Sequence, residues 1–384
     1  MMKNLPLGNL TLETFLSEYW QKKPLLIRNA LPGLVPPIAA DELAGLACEA
    51  CVESRLVIQD GKSDRWDMTH GPFTEETFQS LPKKHWTLLV QAVDHWVPAA
   101  AEFLTRFHFI PSWRIDDLMI SYSSDGGGVG PHYDNYDVFL VQGSGCRKWE
   151  IGGRFDSTSP RRSDTPVMIL TDWTPEQEWI LEPGDMLYIP PRIGHNGIAI
   201  GDDCMTCSVG FRAPSHSEIL RGFADYVGDT LSEEVRYTDA DLVGQSHAGA
   251  LTPEALENVH QIVRQHLEDK DVLTDWFGRF ITAQKYPDEE STLQVVQLED
   301  LRAHIVAGGI LQRNEGSKFA FHERDHELFL FADGHQYQCS SDQAELVYLL
   351  CANLTINPHS YHQSDVHLQL LVDLLNQESL YLPS

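Results

Sequence analysis

The spacing of apolar residues changes character along the chain, and the changes mark out its parts. Near the start, Leu12, Phe15, Leu16, Tyr19 and Trp20 recur at helical spacing and form one buried stripe, with Thr11 placed to cap the first turn. Pro24 ends that helix, and PLLIRNAL after it reads as a short strand. A second helical texture runs through DELAGLACEACVESRL. From about Trp113 to Phe211 the texture becomes short apolar runs broken by Gly, Pro, Asp and Ser: DLMISYSS, DVFLVQG, KWEIGG, VMILTDW, DMLYIPP and CMTCSVGF. Short strands with turn residues at this spacing predict an all-β barrel or sandwich.

After Ala213–Pro214 helical spacing returns. SHSEILRGFADYVGDTL sets Ile219, Leu220, Phe223, Tyr226 and Val227 on one face, and LTPEALENVHQIVRQHL continues the pattern, with a loop over 236–252. The last stretch mixes helices (LEDLRAHIVAGGIL, AELVYLLCANL, VHLQLLVDLLNQ) with strand-like pieces (KFAFH, ELFLFADGHQYQC), a small α+β unit of winged-helix size. The expected organisation is therefore 1–212 for the β-rich domain, 213–290 for a helical region and 291–384 for the end domain.

Composition narrows the functions open to such a chain. Its 384 residues fit two or three domains, and 42% hydrophobic with 10% aromatic residues exclude global disorder. With 28 basic and 56 acidic side chains the net charge is −28, which disfavours a phosphate-backbone binder and suits a basic partner; plain solubility would also account for it. The end domain carries four Lys/Arg against twelve Asp/Glu, net −8, so a winged helix here is not expected to bind DNA. The N-terminus lacks a secretory apolar stretch, and no run approaches the roughly 18 apolar residues of a membrane helix. Seven cysteines, an odd number, do not make a disulfide framework. These features point to a cytoplasmic protein with no membrane partner. Zinc at the pairs Cys48/Cys51 and Cys204/Cys207 is a minor alternative. On a helix the first pair merely shares a face, and on a strand the second pair divides between faces.

Chemistry concentrates in ISYSSDGGGVGPHYDNYDVFLVQGSGCRKWEI and LEPGDMLYIPPRIGHNG. His132 and Asp134 are two apart, so an extended strand projects both from one face. His195 follows a Pro-Gly-Asp turn, an apolar strand and Pro190–Pro191. Two imidazoles and one carboxylate on a β-framework match the facial triad of non-haem Fe(II) oxygenases, although the same donors also suit Mn or Zn. The HxD pair alone is a weak pattern that a β-domain loop can carry by chance. The run GGGVGP lacks the GK[ST] ending of a phosphate loop and reads as a turn that needs positive φ or close backbone approach. On the next strand, Arg147 and Lys148 face opposite ways. Either could hold the distal carboxylate of a 2-oxo acid, and either could be an ordinary surface charge.

Taken together, the GGGVGPHYD block, the LEPGDMLYIPPRIGH block and SVGFRAPS resemble the JmjC/cupin-type ribosomal oxygenases, most of all the bacterial arginine hydroxylases. The resemblance spans the whole chain. It implies an α+β protein: a double-stranded β-helix, a helical dimerisation region and a C-terminal winged-helix-like domain. It implies Fe(II) held by His132, Asp134 and His195, 2-oxoglutarate held by Arg147 rather than Lys148 and by Ser123, and O2 as oxidant. Cys146 departs from the family pattern. Tyr133, Tyr136 and Asp137 flank the metal pair and are candidates for a guanidinium pocket or for barrel support. The implied substrate is an arginine side chain, at its β-carbon, in a basic large-subunit ribosomal protein, and the implied assembly is a homodimer. Alternatives are histidyl hydroxylation or lysine demethylation by the same chemistry, or a non-catalytic cupin-like metal-binding protein. The aspartate ligand and the following arginine favour an oxygenase over a typical cupin.

Overall fold

The Thr11 hydroxyl accepts from the Thr14 amide at 3.1 Å and opens α1 (Leu12–Glu18). Phe15 carries that helix into the core, fully buried against Phe139 and Tyr188. Next come β1 (Leu25–Ile27), α2 (Ala40–Leu46), β2 (Ser54–Asp60), β3 (Arg65–His70), α3 (Glu75–Gln79), β4 (Trp86–Val90) and α4 (Pro98–Leu104). The helical texture around Cys48 and Cys51 carries a helix only as far as Leu46. A turn closed by the Val52 amide on the Glu49 carbonyl then swings the chain into β2, so the two thiols do not share a helix face. In this computed structural model the described residues are 5–60, 64–286 and 295–383.

The strands β5 (Ile115–Ser123), β6 (Val138–Arg154), β7 (Gln177–Leu181), β8 (Met186–Ile189) and β9 (Ile193–Phe211) complete an antiparallel sheet. Its order is β1-β8-β6-β9-β5-β4-β2-β3, with β7 also on β6. Sequence texture predicts short strands, but β6 has 17 residues and β9 has 19. The glycines read as turns are instead bends within β6, where register shifts against β9 occur between Gln142 and Ser144 and between Ser144 and Cys146. Gly145 illustrates why: its φ is +58°, and a Cβ there would lie 2.5 Å from the Asp203 carbonyl oxygen.

Alternation divides this sheet into two apolar faces. One buries Leu118, Ile120, Phe139, Val141, Cys207 and Val209 with Phe15. The other carries two clusters, Val138–Leu140–Trp149–Ile151 with Leu187, and Val57–Trp66–Leu89 with Ile169. Arg147, paired with Ala199, is in step with Trp149 and Ile151 and so shares this second, inner face.

Contact density breaks the chain at Ala213/Pro214. The second unit opens with Ser215 and Glu218 in a capping box on α5 (His216–Thr230), followed by α6 (Pro253–Leu267) and α7 (Lys270–Thr282), with neither helix nor strand over 236–252. Phe223, Val227 and Trp276 pack α5 onto α7. The expected 290/291 boundary lies outside the described residues.

The rest of the unit is α8 (Leu298–Val306), β10 (Leu311–Arg313), β11 (Phe319–Arg324), β12 (Glu327–Ala332), β13 (His335–Cys339), α9 (Ala344–Ala352), β14 (Thr355–Ile356), α10 (Asp365–Asn376) and β15 (Leu380–Tyr381). ELFLFADGHQYQC is a hairpin of β12 and β13, because Asp333 and Gly334 both take positive φ in its two-residue turn. Leu301, Ile305, Leu346, Leu350, Leu371 and Leu375 fill the core of this small α+β unit.

Candidate metal centre

His132 and Asp134 do not lie on a strand, contrary to their alternation. Gly130, at φ +78°, and Pro131 interrupt regular pairing, and β6 begins only at Val138. His132 instead makes a single bridge to the start of β9: its amide donates to the His195 carbonyl at 2.9 Å, and its carbonyl accepts from the His195 amide at 2.8 Å. That exchange sets the two imidazoles side by side, centroids 4.2 Å apart. Asp134 is fixed through its own carbonyl, which accepts from the Arg192 amide at 2.6 Å.

The three side chains converge. Their ligand atoms all lie within 4.8 Å of one another, the only such group among the described residues. Asp134 Oδ2 is 3.5 Å from His195 Nε2. Each imidazole turns Nδ1 to a backbone carbonyl, His132 to Gly130 at 2.9 Å and His195 to Ile193 at 3.0 Å. A carbonyl only accepts, so Nδ1 carries the proton and Nε2 keeps its lone pair for a metal. Burial, reinforced by His132, pushes His195 down to about 4, which keeps it neutral and ligand-competent at neutral pH.

Ser123 and Arg147 meet on the inner face. Arg147 is buried and its Nη2 donates to Ser123 Oγ at 2.6 Å, while Ser123 Oγ also lies 2.9 Å from Thr87 Oγ1. Arg147 Nε is buried with no hydrogen-bond partner among the described residues. A guanidinium desolvated beside a neutral hydroxyl, with donor capacity left over, fits a carboxylate-bearing co-substrate. Lys148 takes the other face and pairs with Glu150 at 2.6 Å. Ser121 and Ser124, close to Ser123 in sequence, do not hold Arg147; Ser124 bonds the Trp86 backbone.

The three flanking candidates part company. The Tyr133 hydroxyl accepts from Arg161 at 2.6 Å, and its buried ring stacks near Phe155. Tyr136 is 43% exposed, and the Asp134 carboxylate beside it holds its hydroxyl above the ordinary phenol range. Asp137 is wholly buried: it accepts from Tyr188 at 2.5 Å and Gln21 at 3.0 Å, with Arg114 at 3.6 Å. Burial pushes its carboxyl pKa up. Asp137 thus ties the chain after α1 to β8 inside the core.

Two inner-face side chains escape the sequence reading. Thr87 extends the Arg147–Ser123 chain, and Trp149 has a buried Nε1 with no partner among the described residues. Trp149 stands two residues beyond Arg147 with its ring 5.7 Å from the guanidinium, so strand alternation from Arg147 would have found it. Thr87 is recognisable only through the pairing of β4 with β5, which sets it opposite Ser123.

The JmjC domain pattern matches residues 102–219, and the ROXA-like winged helix pattern matches 265–381. Among curated proteins, the chain is similar to the ribosomal protein uL16 3-hydroxylase of Escherichia coli, 41% identical over 276 residues, 71% of either chain. It is also similar to a probable ribosomal oxygenase of Haemophilus influenzae, 36% identical over 280 residues, 72% of this chain and 69% of the relative. A solved structure of E. coli YcfD, described as a ribosomal oxygenase in complex with cobalt and 2-oxoglutarate, superimposes with a TM-score of 0.85 at 32% identity, covering 98% of this chain and 99% of that one. The fold is thus the JmjC barrel with a C-terminal winged helix, and the chain belongs to the JmjC ribosomal oxygenases.

Proposed function

We propose that the chain is an Fe(II)- and 2-oxoglutarate-dependent protein hydroxylase that acts on ribosomal protein uL16, at the β-carbon of an arginine side chain. The observation that carries this reading is the pairing of a convergent His-Asp-His group with a buried arginine that has unspent donors on the same inner face. His132, Asp134 and His195 would hold the iron, and Arg147 with Ser123 would hold the distal carboxylate of 2-oxoglutarate. Iron(II) with this co-substrate supplies oxidative decarboxylation to succinate and CO2, with one atom of O2 entering a substrate C–H bond. The chain's part is to fix both imidazoles as Nδ1–H tautomers, to neutralise an anion in a site shielded by Trp149, and to leave ligand positions open. A non-catalytic cupin-like role is disfavoured, since it leaves the buried guanidinium without a purpose.

The acidic chain suits a basic ribosomal protein through long-range attraction. A ribosomal substrate puts the enzyme in the cytoplasm, and among the described residues no helix is long and apolar enough to cross a membrane. The homodimer is supported by α6, whose Leu256, Val259 and Val263 are about half exposed on one stripe that a second copy could cover. The net −8 of residues 291–384 argues against DNA as a partner of the winged helix.

The test is mass spectrometry of uL16 incubated with the protein, Fe(II) and 2-oxoglutarate. One added oxygen on an arginine is expected, and its absence from uL16 and from every other basic ribosomal protein overturns the reading. Asp134→Ala is expected to abolish the gain while leaving the melting temperature near the parent value; a fully active Asp134→Ala variant removes the ligand assignment.

A further inference from the structure

The bend in β6 decides which cation enters the site. Leu140 and Gln142 lie on the inner face, opposite Ser208 and Thr206 of β9. Strict alternation from Gln142 would bring Ser144, Cys146 and Lys148 inside and turn Arg147 out. Yet Arg147 is the residue that reaches Ser123. The reversal comes from a bulge. Gln142 pairs with Thr206 and Ser144 with Met205, so β6 uses two residues where β9 uses one. A slip of one residue changes the face of every side chain beyond it. The bulge therefore separates an arginine site from a lysine site.

Gln142 holds that bulge from within. It is fully buried and is the last residue before the shift. Its amide donates to the Asp185 carbonyl at 2.9 Å and its carbonyl accepts from the Gly184 amide at 2.9 Å, which fixes its backbone to the turn before β8. The side chain then reaches back over the bend. Nε2 donates to the Ser144 carbonyl at 2.8 Å and to the Met205 carbonyl at 3.2 Å, while Oε1 accepts from the Thr206 hydroxyl at 3.3 Å. One side-chain amide thus bridges both strands where their ladder is out of step. The far side is held as well: Ser144 Oγ donates to the Asp203 carbonyl at 2.8 Å, the same carbonyl that leaves no room for a Cβ on Gly145.

We propose that Gln142 is a positioning residue for the co-substrate: by locking the bulge it sets Arg147, in place of Lys148, against Ser123. The inference deepens the hydroxylase reading above and rests on it. Gln142 acts through the path of the backbone to Arg147. Its Nε2 also lies 3.5 Å from Sγ of Cys204, the residue opposite Ser123, so the lock borders the hydroxyl that receives the guanidinium. Removing the amide would leave buried carbonyls without their donor, which is costly and loosens the bend.

The test is Gln142→Met, which keeps the length of the side chain and removes its polar end. The KM for 2-oxoglutarate should rise about tenfold, with the uL16 KM and the Mn(II) affinity near their parent values. A double-mutant cycle supplies a readout that general loosening would not give. If the amide acts through the guanidinium, Gln142→Met adds nothing to the 2-oxoglutarate KM in an Arg147→Ala background. An unmoved KM in the single variant, or the same rise in both backgrounds, overturns the inference. Should Gln142→Met fail to fold, Gly145→Ala disturbs the bulge from its far side, and the same rise, absent beside Arg147→Ala, is expected; an unchanged KM again overturns the inference. Calorimetric titration of 2-oxoglutarate into the Mn(II)-loaded protein repeats each comparison without turnover. If the parent protein neither hydroxylates uL16 nor binds 2-oxoglutarate, the hydroxylase reading falls and the inference with it. A parent that does both beside an unaffected Gln142→Met sinks the inference alone.

Discussion

Arg147 and Lys148 are neighbours on β6 with the same charge and opposite fates. Lys148 faces outward, and its ammonium donates to Glu150, which also accepts from Asn196 at 2.9 Å. Arg147 faces inward, is 4% exposed, and among the described residues gives its hydrogen bond to a neutral hydroxyl. The outer face makes a complete ion pair; the inner face leaves a cation desolvated with no carboxylate beside it among the described residues. Burying an unpaired charge is costly, so the inner arrangement is reasonable only if an anion from outside completes it. A strand cation thus reports a ligand when its own sheet supplies no counter-ion.

The sharpest way to break this comparison is Arg147→Ala. Removing one partner of a buried, hydrogen-bonded charge pair costs about 2–5 kcal/mol. The KM for 2-oxoglutarate should therefore rise by at least about thirtyfold, with uL16 binding little affected. An unchanged 2-oxoglutarate KM would move the carboxylate to another cation and end the contrast between the two faces. The Asp134→Ala experiment, which tests total loss, cannot make this distinction, because it alters the proposed metal ligand set and not the proposed co-substrate contact.

Ser123→Ala sharpens the comparison at smaller scale. The serine hydroxyl is the described partner of the Arg147 Nη2 and passes the contact on to Thr87. Deleting one such bond is worth roughly 1 kcal/mol, so the 2-oxoglutarate KM should rise about fivefold with kcat nearly kept. A fall in kcat alone, with KM unmoved, would make Ser123 a support for the barrel and no part of the co-substrate site.

Where alternation is local, the sequence is readable. It separates Arg147 from Lys148, and it divides Cys204, opposite Ser123, from Cys207 in the other face's core. It fails at His132–Asp134, because Gly130 and Pro131 displace strand geometry and the pair is brought together by a bridge to His195, 63 residues on. It fails again at Asp137. That carboxylate resembles its neighbours at the metal pair, yet its partners Gln21 and Tyr188 lie 116 and 51 residues away and draw it into the core. The fusion of DVFLVQG and KWEIGG into one bent strand is likewise invisible locally, since Gly145 reads as a turn until the Asp203 carbonyl opposite it is known. Spacing alone therefore does not single out the candidate ligand set; the resemblance of the flanking blocks adds what spacing lacks.

The smallest expected effect is the control that gives the others meaning. Lys148→Ala removes a cation one residue from Arg147, so a site that responded only to local positive charge would feel both changes. The geometry says otherwise. The Lys148 side chain is about one-third exposed on the outer face, and its loss leaves Glu150 still bonded to Asn196. A pair of this kind is worth at most about 1 kcal/mol of stability. The 2-oxoglutarate KM should stay at the parent value, because strand alternation points the ammonium away from the inner face. Equal rises in KM for Lys148→Ala and Arg147→Ala would mean that the inner arginine acts through bulk field rather than contact. A flat response at Lys148 beside a steep one at Arg147 would place the carboxylate against the inner guanidinium, where Nε has donor capacity to spare.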